Sequence, residues 1–295
     1  MPYSRFLAPQ GTKRRIDSMD IFIRNTAYTG PVRAVVLDWA GTAVDFGCMG
    51  PVAVFVEVFA RRGVAVTVPE ARAPMGLMKK DHIRAVCRMP AVAARWREAF
   101  GRDPDESDVT DMYAETEPLM VEMIARHAEP VPGLAEAVAA FRDMGLRIGS
   151  TTGYTRPMME ALMPLARERG YAPDFMACPT DAPAGRPYPY MCWQNAVALE
   201  VYPLEAVVKI GDTVSDVHEG LNAGMWTVGL TEQGNEMGFP EAELAAMPPA
   251  RFRERLEAAE NRLVGAGAHF LARRIGDCPA IVEEISSRLA LGDRP

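Results

Sequence analysis

Four short clusters in this 295-residue chain carry residue types suited to moving a phosphoryl group. In D-W-A-G-T-A-V-D, residues 38–45, a carboxylate precedes a small residue, Gly41 and Thr42. A tight loop of that kind offers backbone N–H groups to a phosphoryl oxygen while Asp38 attacks phosphorus. In S-T-T-G-Y-T, residues 150–155, the Thr152 hydroxyl can donate to another phosphoryl oxygen. In A-G-R-P-Y-P, residues 184–189, Arg186 is a cation in a stiffened loop, suited to offsetting the charge of an aspartyl phosphate. In G-D-T-V-S-D, residues 211–216, two carboxylates four positions apart suit a hard, oxygen-liganded Mg2+, with Asp212 direct and Asp216 supporting. Singly, each cluster has a plainer reading: a strand-to-loop turn, a helix cap, a solvated arginine, an acidic helix N-terminus. Together, in this order, they make coincidence a poor account.

The elements that must position them are visible as short apolar runs. Arg33–Leu37, Leu146–Gly149 and Val207–Ile210 each run into one of the clusters, and Trp226–Leu230 reads as a further strand after a helix that Gly224 closes. Continuous apolar runs of this length suit strands buried on both faces of a parallel sheet. Helical pattern follows each run, so the chain reads as an open α/β sheet with ligands outside the strands' carboxyl ends. Asp38, Thr152 and Asp212 are then expected at one sheet edge. Between Cys48 and Pro130 the texture is helical, over residues 51–63, 77–89, 91–101 and 106–127, and rich in Ala, Met, Arg and Glu. This is expected to be a helical cap of residues 48–130 inserted in a core of residues 31–47 and 131–295, with helices also over 241–265 and 279–291.

Composition narrows the function. A net charge of −7 argues against a nucleic-acid surface, and no apolar run reaches a membrane span. Five scattered cysteines without CxxC spacing favour neither a disulfide framework nor a zinc site, and point to a reducing cytoplasm. Residues 1–30 carry Lys13, Arg14 and Arg15 without a signal-like apolar core and read as an N-terminal extension. Met19 offers an alternative start that would leave residues 1–18 as a loose extension. His127, His218 and His269 are isolated and read as structural, and the cap methionines as adaptable packing.

The four clusters resemble the motifs of the haloacid dehalogenase superfamily, over about residues 32–275. The resemblance implies a Rossmann-like parallel-sheet core with an inserted α-helical cap. Most phosphatases of that superfamily place a second Asp two positions after the nucleophile, where it protonates the leaving alkoxide. Here that position is Ala40. Acid–base help is worth about 10²–10⁴ in rate, so the leaving group must be handled otherwise.

M-G-L-M-K-K-D-H, residues 75–82, offers a route, since Lys79 or Lys80 can form an imine with an aldehyde. A protonated imine is an electron sink, so a P–C bond can break to give a neutral enamine. On a helix the two lysines point about 100° apart, and the pattern does not choose between them. Met75 and His82 share the face of Lys79 at helical spacing. Taken with G-C-M-G-P, residues 47–51, the set is similar to the phosphonoacetaldehyde hydrolase family, whose imine-forming lysine matches Lys79.

That resemblance implies a small-molecule phosphonate substrate, Mg2+ held by the Asp38 carboxylate, the Ala40 carbonyl and Asp212, and a homodimer. It also implies His82 and Tyr154 in proton traffic, with Cys48, Met75 and Gly76 near the substrate. Arg186 stands where lysine is common in the superfamily, and a guanidinium cannot form a competing imine. Three other readings are a phosphomonoesterase, which Ala40 disfavours, a non-catalytic sensor of a phosphorylated metabolite, which the retained Asp38, Lys79, Arg186 and Asp212 disfavour, and a class I aldolase, which has no use for the acidic metal site.

Overall fold

In the computed structural model, residues 11–16, 19–24 and 27–295 are described. Gly11–Ile16 (β1) pairs antiparallel with Met19–Arg24 (β2). The expected loose extension thus holds a hairpin where a run of basic residues hides any alternation, and the remainder of that expectation lies outside the described residues.

Ala34–Leu37 (β3) opens the core and is buried throughout. The chain then leaves for five helices: Met49–Ala60 (α1), Val68–Arg72 (α2), Lys79–Cys87 (α3), Pro90–Phe100 (α4) and Glu106–Arg126 (α5). It returns through Leu134–Asp143 (α6), Arg147–Thr151 (β4), Arg156–Glu168 (α7), Phe175–Ala177 (β5) and Tyr190–Ala198 (α8). Val207–Gly211 (β6), Val214–Ala223 (α9), Trp226–Leu230 (β7), Glu241–Ala245 (α10) and Pro249–Gly265 (α11) follow. Phe270–Ala272 (β8) and Cys278–Ala290 (α12) complete the chain.

The core sheet is parallel, in the order β5-β4-β3-β6-β7-β8. Leu37 is level with Ser150 on one side and Ile210 on the other. That register brings the residues after β3, β4 and β6 to one edge, as the apolar runs imply. β5 and β8 have three residues each, too short to show a period. Helix α2 also escaped the periodicity, although Thr67 and Glu70 form its capping box.

The two strands of chain between core and cap lie side by side. Asp45 N–H donates to the Glu129 carbonyl at 3.1 Å and Val131 N–H to that of Ala43 at 3.0 Å. Asp45 accepts from the N–H groups of Met49 and Gly50, satisfying the first turn of α1, and pairs with His127 Nδ1 at 3.2 Å. His127 therefore joins the linkers. His269 accepts from the Thr227 N–H beside β7.

Cap and core meet closely where glycines permit it. A Cβ on Gly76, whose φ is +89°, would lie 2.4 Å from Thr213 Oγ1, and one on Gly153 would lie 2.8 Å from the Leu77 carbonyl. All five cysteines are free and buried. Among the described residues no helix is long and apolar enough to cross a membrane.

Candidate active site

Asp38 leaves β3 with its N–H on the Ile210 carbonyl, 3.0 Å away, and is 5% exposed. The turn behind it is pinned by Trp39, whose carbonyl accepts from the N–H groups of Thr42, Ala43 and Val44. The Gly41 and Thr42 carbonyls accept from Gln233 Nε2. Among the described residues no donor meets the Ala40 carbonyl. Gly41 takes φ +90°, and a Cβ there would lie 2.1 Å from Asp212 Oδ2, so glycine lets the first cluster approach the fourth.

Three carboxylates and two cations interlock beneath the turn. Arg186 Nη2 donates to Asp38 at 2.7 Å and to Thr151 Oγ1 at 2.8 Å, Nε donates to Glu219 at 2.9 Å, and Nη1 lies 3.0 Å from Asp216. Lys209 Nζ donates to Asp216 at 2.7 Å. Asp216 also accepts from the Thr213 hydroxyl and N–H. Burial works against the Asp216 charge, yet Arg186 and Lys209 hold its pKa below the usual carboxylate value. Its oxygens are therefore committed to partners, which suits a supporting role.

Asp212 differs. It accepts from Thr42 Oγ1 at 2.9 Å and the Asn235 N–H at 2.7 Å, and among the described residues it has no cation partner. Burial, then Asp38 and Asp216, push its pKa well up. Among the described residues Arg186 and Lys209 pair with Asp38, Asp216 and Glu219, which leaves Asp212 the carboxylate of this group without an ion-pair partner. Asp38, Asp212 and Asp216 offer oxygens within 4.8 Å of one another. Hard oxygen donors with excess negative charge fit a divalent cation.

Above them lies a small cavity of about 20 Å³, room for roughly one water. Its lining includes Asp38, Ala40, Thr152, Tyr154, Arg186 and Thr213 from the core, with Cys48, Met75, Gly76 and Lys79 beside them. Lys79 is 3% exposed, whereas Lys80 is half-buried and outside this lining. Burial brings the Lys79 pKa down to about 8, although Cys48 and Asp38 oppose the shift. Tyr154 is pushed well up by burial and by nearby Asp45, and Cys48 by burial and Asp212. Both are neutral near pH 7.

Two details differ from the helical spacing. Helix α3 begins at Lys79, so Met75 reaches the cavity through the turn at Gly76 and not along a helix face. His82 is absent from the lining. It is fully buried and stacked on Phe55, with ring centres 3.6 Å apart. Neither ring nitrogen completes a hydrogen bond, although the Ala71 carbonyl faces the ring, and burial with Lys79 keeps it neutral. Shared helical spacing placed His82 beside Lys79; packing turned it towards the cap interior.

Lys209, Glu219 and Thr151 escaped the motif reading. A lysine inside the apolar run V-V-K-I was the available signal, since a buried ammonium demands carboxylate partners. Glu219, three residues after Asp216 on α9, was the matching one.

Comparison with known proteins agrees with this architecture. The family model described as haloacid dehalogenase-like hydrolase matches residues 32–224. A phosphonoacetaldehyde hydrolase of Syntrophobacter fumaroxidans is 59% identical over 277 residues, covering 94% of this chain and all of that protein. One from Bacillus cereus is 48% identical, covering 87% and 97%. The crystal structure of a phosphonoacetaldehyde hydrolase-like protein from Oleispira antarctica superposes with a TM-score of 0.90 at 36% identity, over 93% of this chain and all of that one. The chain belongs to the phosphonoacetaldehyde hydrolase family of haloacid dehalogenase-like hydrolases.

Proposed function

We propose that this hydrolase cleaves the carbon–phosphorus bond of phosphonoacetaldehyde, giving acetaldehyde and phosphate, through a Schiff base on Lys79 and an aspartyl phosphate on Asp38. The observation that carries the reading is a buried lysine with its pKa lowered to about 8, lining the same cavity as a strand-end aspartate. An ester phosphatase has no use for such an amine.

The Lys79 amine adds to the aldehyde and loses water to form an imine, which takes up a proton. The Tyr154 ring face, 4.6 Å from Nζ, favours that cation. An Asp38 oxygen attacks phosphorus in line, and the P–C electron pair moves into the iminium to leave a neutral enamine. Arg186 holds Asp38 in place, and the Thr152 hydroxyl is available to a phosphoryl oxygen. Protonation of the enamine carbon, then water, releases acetaldehyde and frees Lys79. A second water cleaves the acyl phosphate. The Asp38 carboxylate, the Ala40 carbonyl and Asp212 would hold Mg2+, which would supply charge neutralisation for the anionic substrate. Asp216 supports the site from behind.

The cavity is far smaller than the substrate, so the cap, residues 48–130, must withdraw to admit it and close again to exclude water. His82 and Phe55 pack behind Lys79 as positioning groups. The family reading extends to a cytoplasmic protein and to a homodimer, and light scattering on the purified protein tests the second.

The deciding experiment incubates the protein with phosphonoacetaldehyde and Mg2+ and measures phosphate and acetaldehyde together. Equal release, lost in Lys79→Ala and Asp38→Ala and retained in Lys80→Ala, is expected. A folded wild-type protein that releases neither product overturns the proposal.

A further inference from the structure

Arg72 closes helix α2 within the cap, but its guanidinium reaches beyond it. Nη1 donates to the Gly47 carbonyl at 2.9 Å and the Cys48 carbonyl at 3.4 Å, where the chain passes from core to cap, and Nη2 lies 3.1 Å from Met49 Sδ. Nη1 also meets Asn235 Oδ1 at 3.1 Å, in the core loop after β7. Asn235 answers through Nδ2, 3.4 Å from the Arg72 carbonyl. The pair is reciprocal, and Asn235 is 4% exposed.

The same Asn235 gives its backbone N–H to Asp212 Oδ2 at 2.7 Å. Its neighbour Gly234 passes so near that a Cβ there would lie 2.1 Å from the Asp212 Cβ. Gly47 N–H, at the other side of the guanidinium, donates to the Gln233 carbonyl in this loop at 2.7 Å. One cap arginine thereby clasps the entrance to the cap and the loop that orients Asp212, outside all four phosphoryl-transfer clusters.

We propose that Arg72 is a positioning residue that transmits closure of the cap, through Asn235, to the carboxylate Asp212; this rests on the metal site proposed above. When the cap withdraws, the guanidinium leaves Asn235 and the loop loses a restraint. Asp212 is then less well prepared for a divalent cation. By linkage, the cation favours the closed cap to the same extent. Groups that orient a ligand from behind change metal affinity by about 10–100-fold when removed.

The test uses the full chain with Arg72→Met, Arg72→Lys, Asn235→Ala and the Arg72→Met/Asn235→Ala double variant. Mn2+ binding is followed by the electron paramagnetic resonance of the free ion, alongside kcat, KM and borohydride trapping at Lys79. Arg72→Met and Asn235→Ala are each expected to weaken Mn2+ by about 10-fold, with the double variant no weaker than either. Arg72→Lys recovers part of the loss. kcat falls while imine trapping persists, because imine formation does not use Asp212.

Unchanged Mn2+ affinity in folded Arg72→Met, or additive losses in the double variant, overturns the proposal. If Arg72→Met does not fold, unchanged Mn2+ affinity in both Arg72→Lys and Asn235→Ala overturns it equally. Mn2+ binding needs no phosphonate, so a wild-type protein inactive on phosphonoacetaldehyde refutes the substrate reading and leaves this measurement intact.

Discussion

The Lys79 ammonium nitrogen lies 4.6 Å from the centre of the Tyr154 ring, and the second face it meets is Phe55, at 5.6 Å. Aromatic faces attract the cation, yet they replace water that would hydrate it better. Burial wins, and the pKa falls from 10.5 to about 8.

Because only the neutral amine condenses with an aldehyde, the rate of borohydride trapping should climb with pH to a midpoint near 8. An unperturbed lysine would place that limb near about 10.4. A profile still climbing steeply above pH 9.5 would exclude Lys79 as the trapped amine.

The same shift bears on stability. From about 8 to 10.5 the unfolded chain holds a proton that folded Lys79 has lost, so stability rises with pH through that window. Below it, the folded state carries a buried ammonium. Lys79→Met should therefore abolish trapping and raise the melting temperature at pH 7 by a few degrees, on the order of 1–3 kcal/mol. A lower melting temperature would show that packing around Nζ outweighs desolvation.

Arg186 distributes its N–H groups among Asp38, Asp216, Glu219 and Thr151. A lysine presents one ammonium and cannot span that set. Arg186→Lys should lower kcat by roughly 10²-fold or more, as expected when a preorganised donor is lost. It should also yield a second borohydride adduct, identified by peptide mapping. Full activity with a single adduct at Lys79 would remove the reason offered for a guanidinium here.

How far all this was legible depends on whether a residue's role is local. Asp38, Thr152 and Asp212 were found because a parallel sheet sends successive strand ends to one edge, and the Leu37 register with Ser150 and Ile210 does so. Lys209 was passed over as a single charge in an apolar run and Glu219 as one more acid on a polar helix, and the packing of α9 on β6 joins them. Arg72 and Asn235 stand 163 positions apart and share no motif. Helical spacing alone left Lys79 and Lys80 open, and the family resemblance pointed to Lys79. In the fold, the cap's docking buries Lys79 and leaves Lys80 half-buried. His82 needed that docking too, since one helix face can turn to a cavity or to a core.

Asp212 has no cation beside it among the described residues, and its neighbours in the cluster leave excess negative charge. Adding Mg2+ should raise the melting temperature, with stabilisation of about 2.7 kcal/mol at a hundred times its dissociation constant. Asp212→Asn removes the charge but keeps an oxygen for Thr42 and Asn235. It should melt higher than the wild type in a chelator and lose most of the Mg2+ response. If Mg2+ shifted both proteins equally, the ion would be binding elsewhere.

Ala40 lines the cavity together with Lys79, at the position where the superfamily resemblance implies an acid in an ester phosphatase. Ala40→Asp therefore tests whether imine chemistry stands in for that acid. The new carboxylate should protonate an alkoxide, so hydrolysis of ethyl phosphate should rise by at least about 10-fold, within the 10²–10⁴ that general acids supply. It should also stabilise the Lys79 ammonium, moving the trapping limb to higher pH and slowing phosphonate cleavage at pH 7. Both effects are read from one variant by assaying the two substrates in parallel with trapping. If the wild type already hydrolyses ethyl phosphate faster than it cleaves phosphonoacetaldehyde, Ala40 places no demand on the leaving group. Lys79 then needs another explanation, with its pKa as the first property to account for.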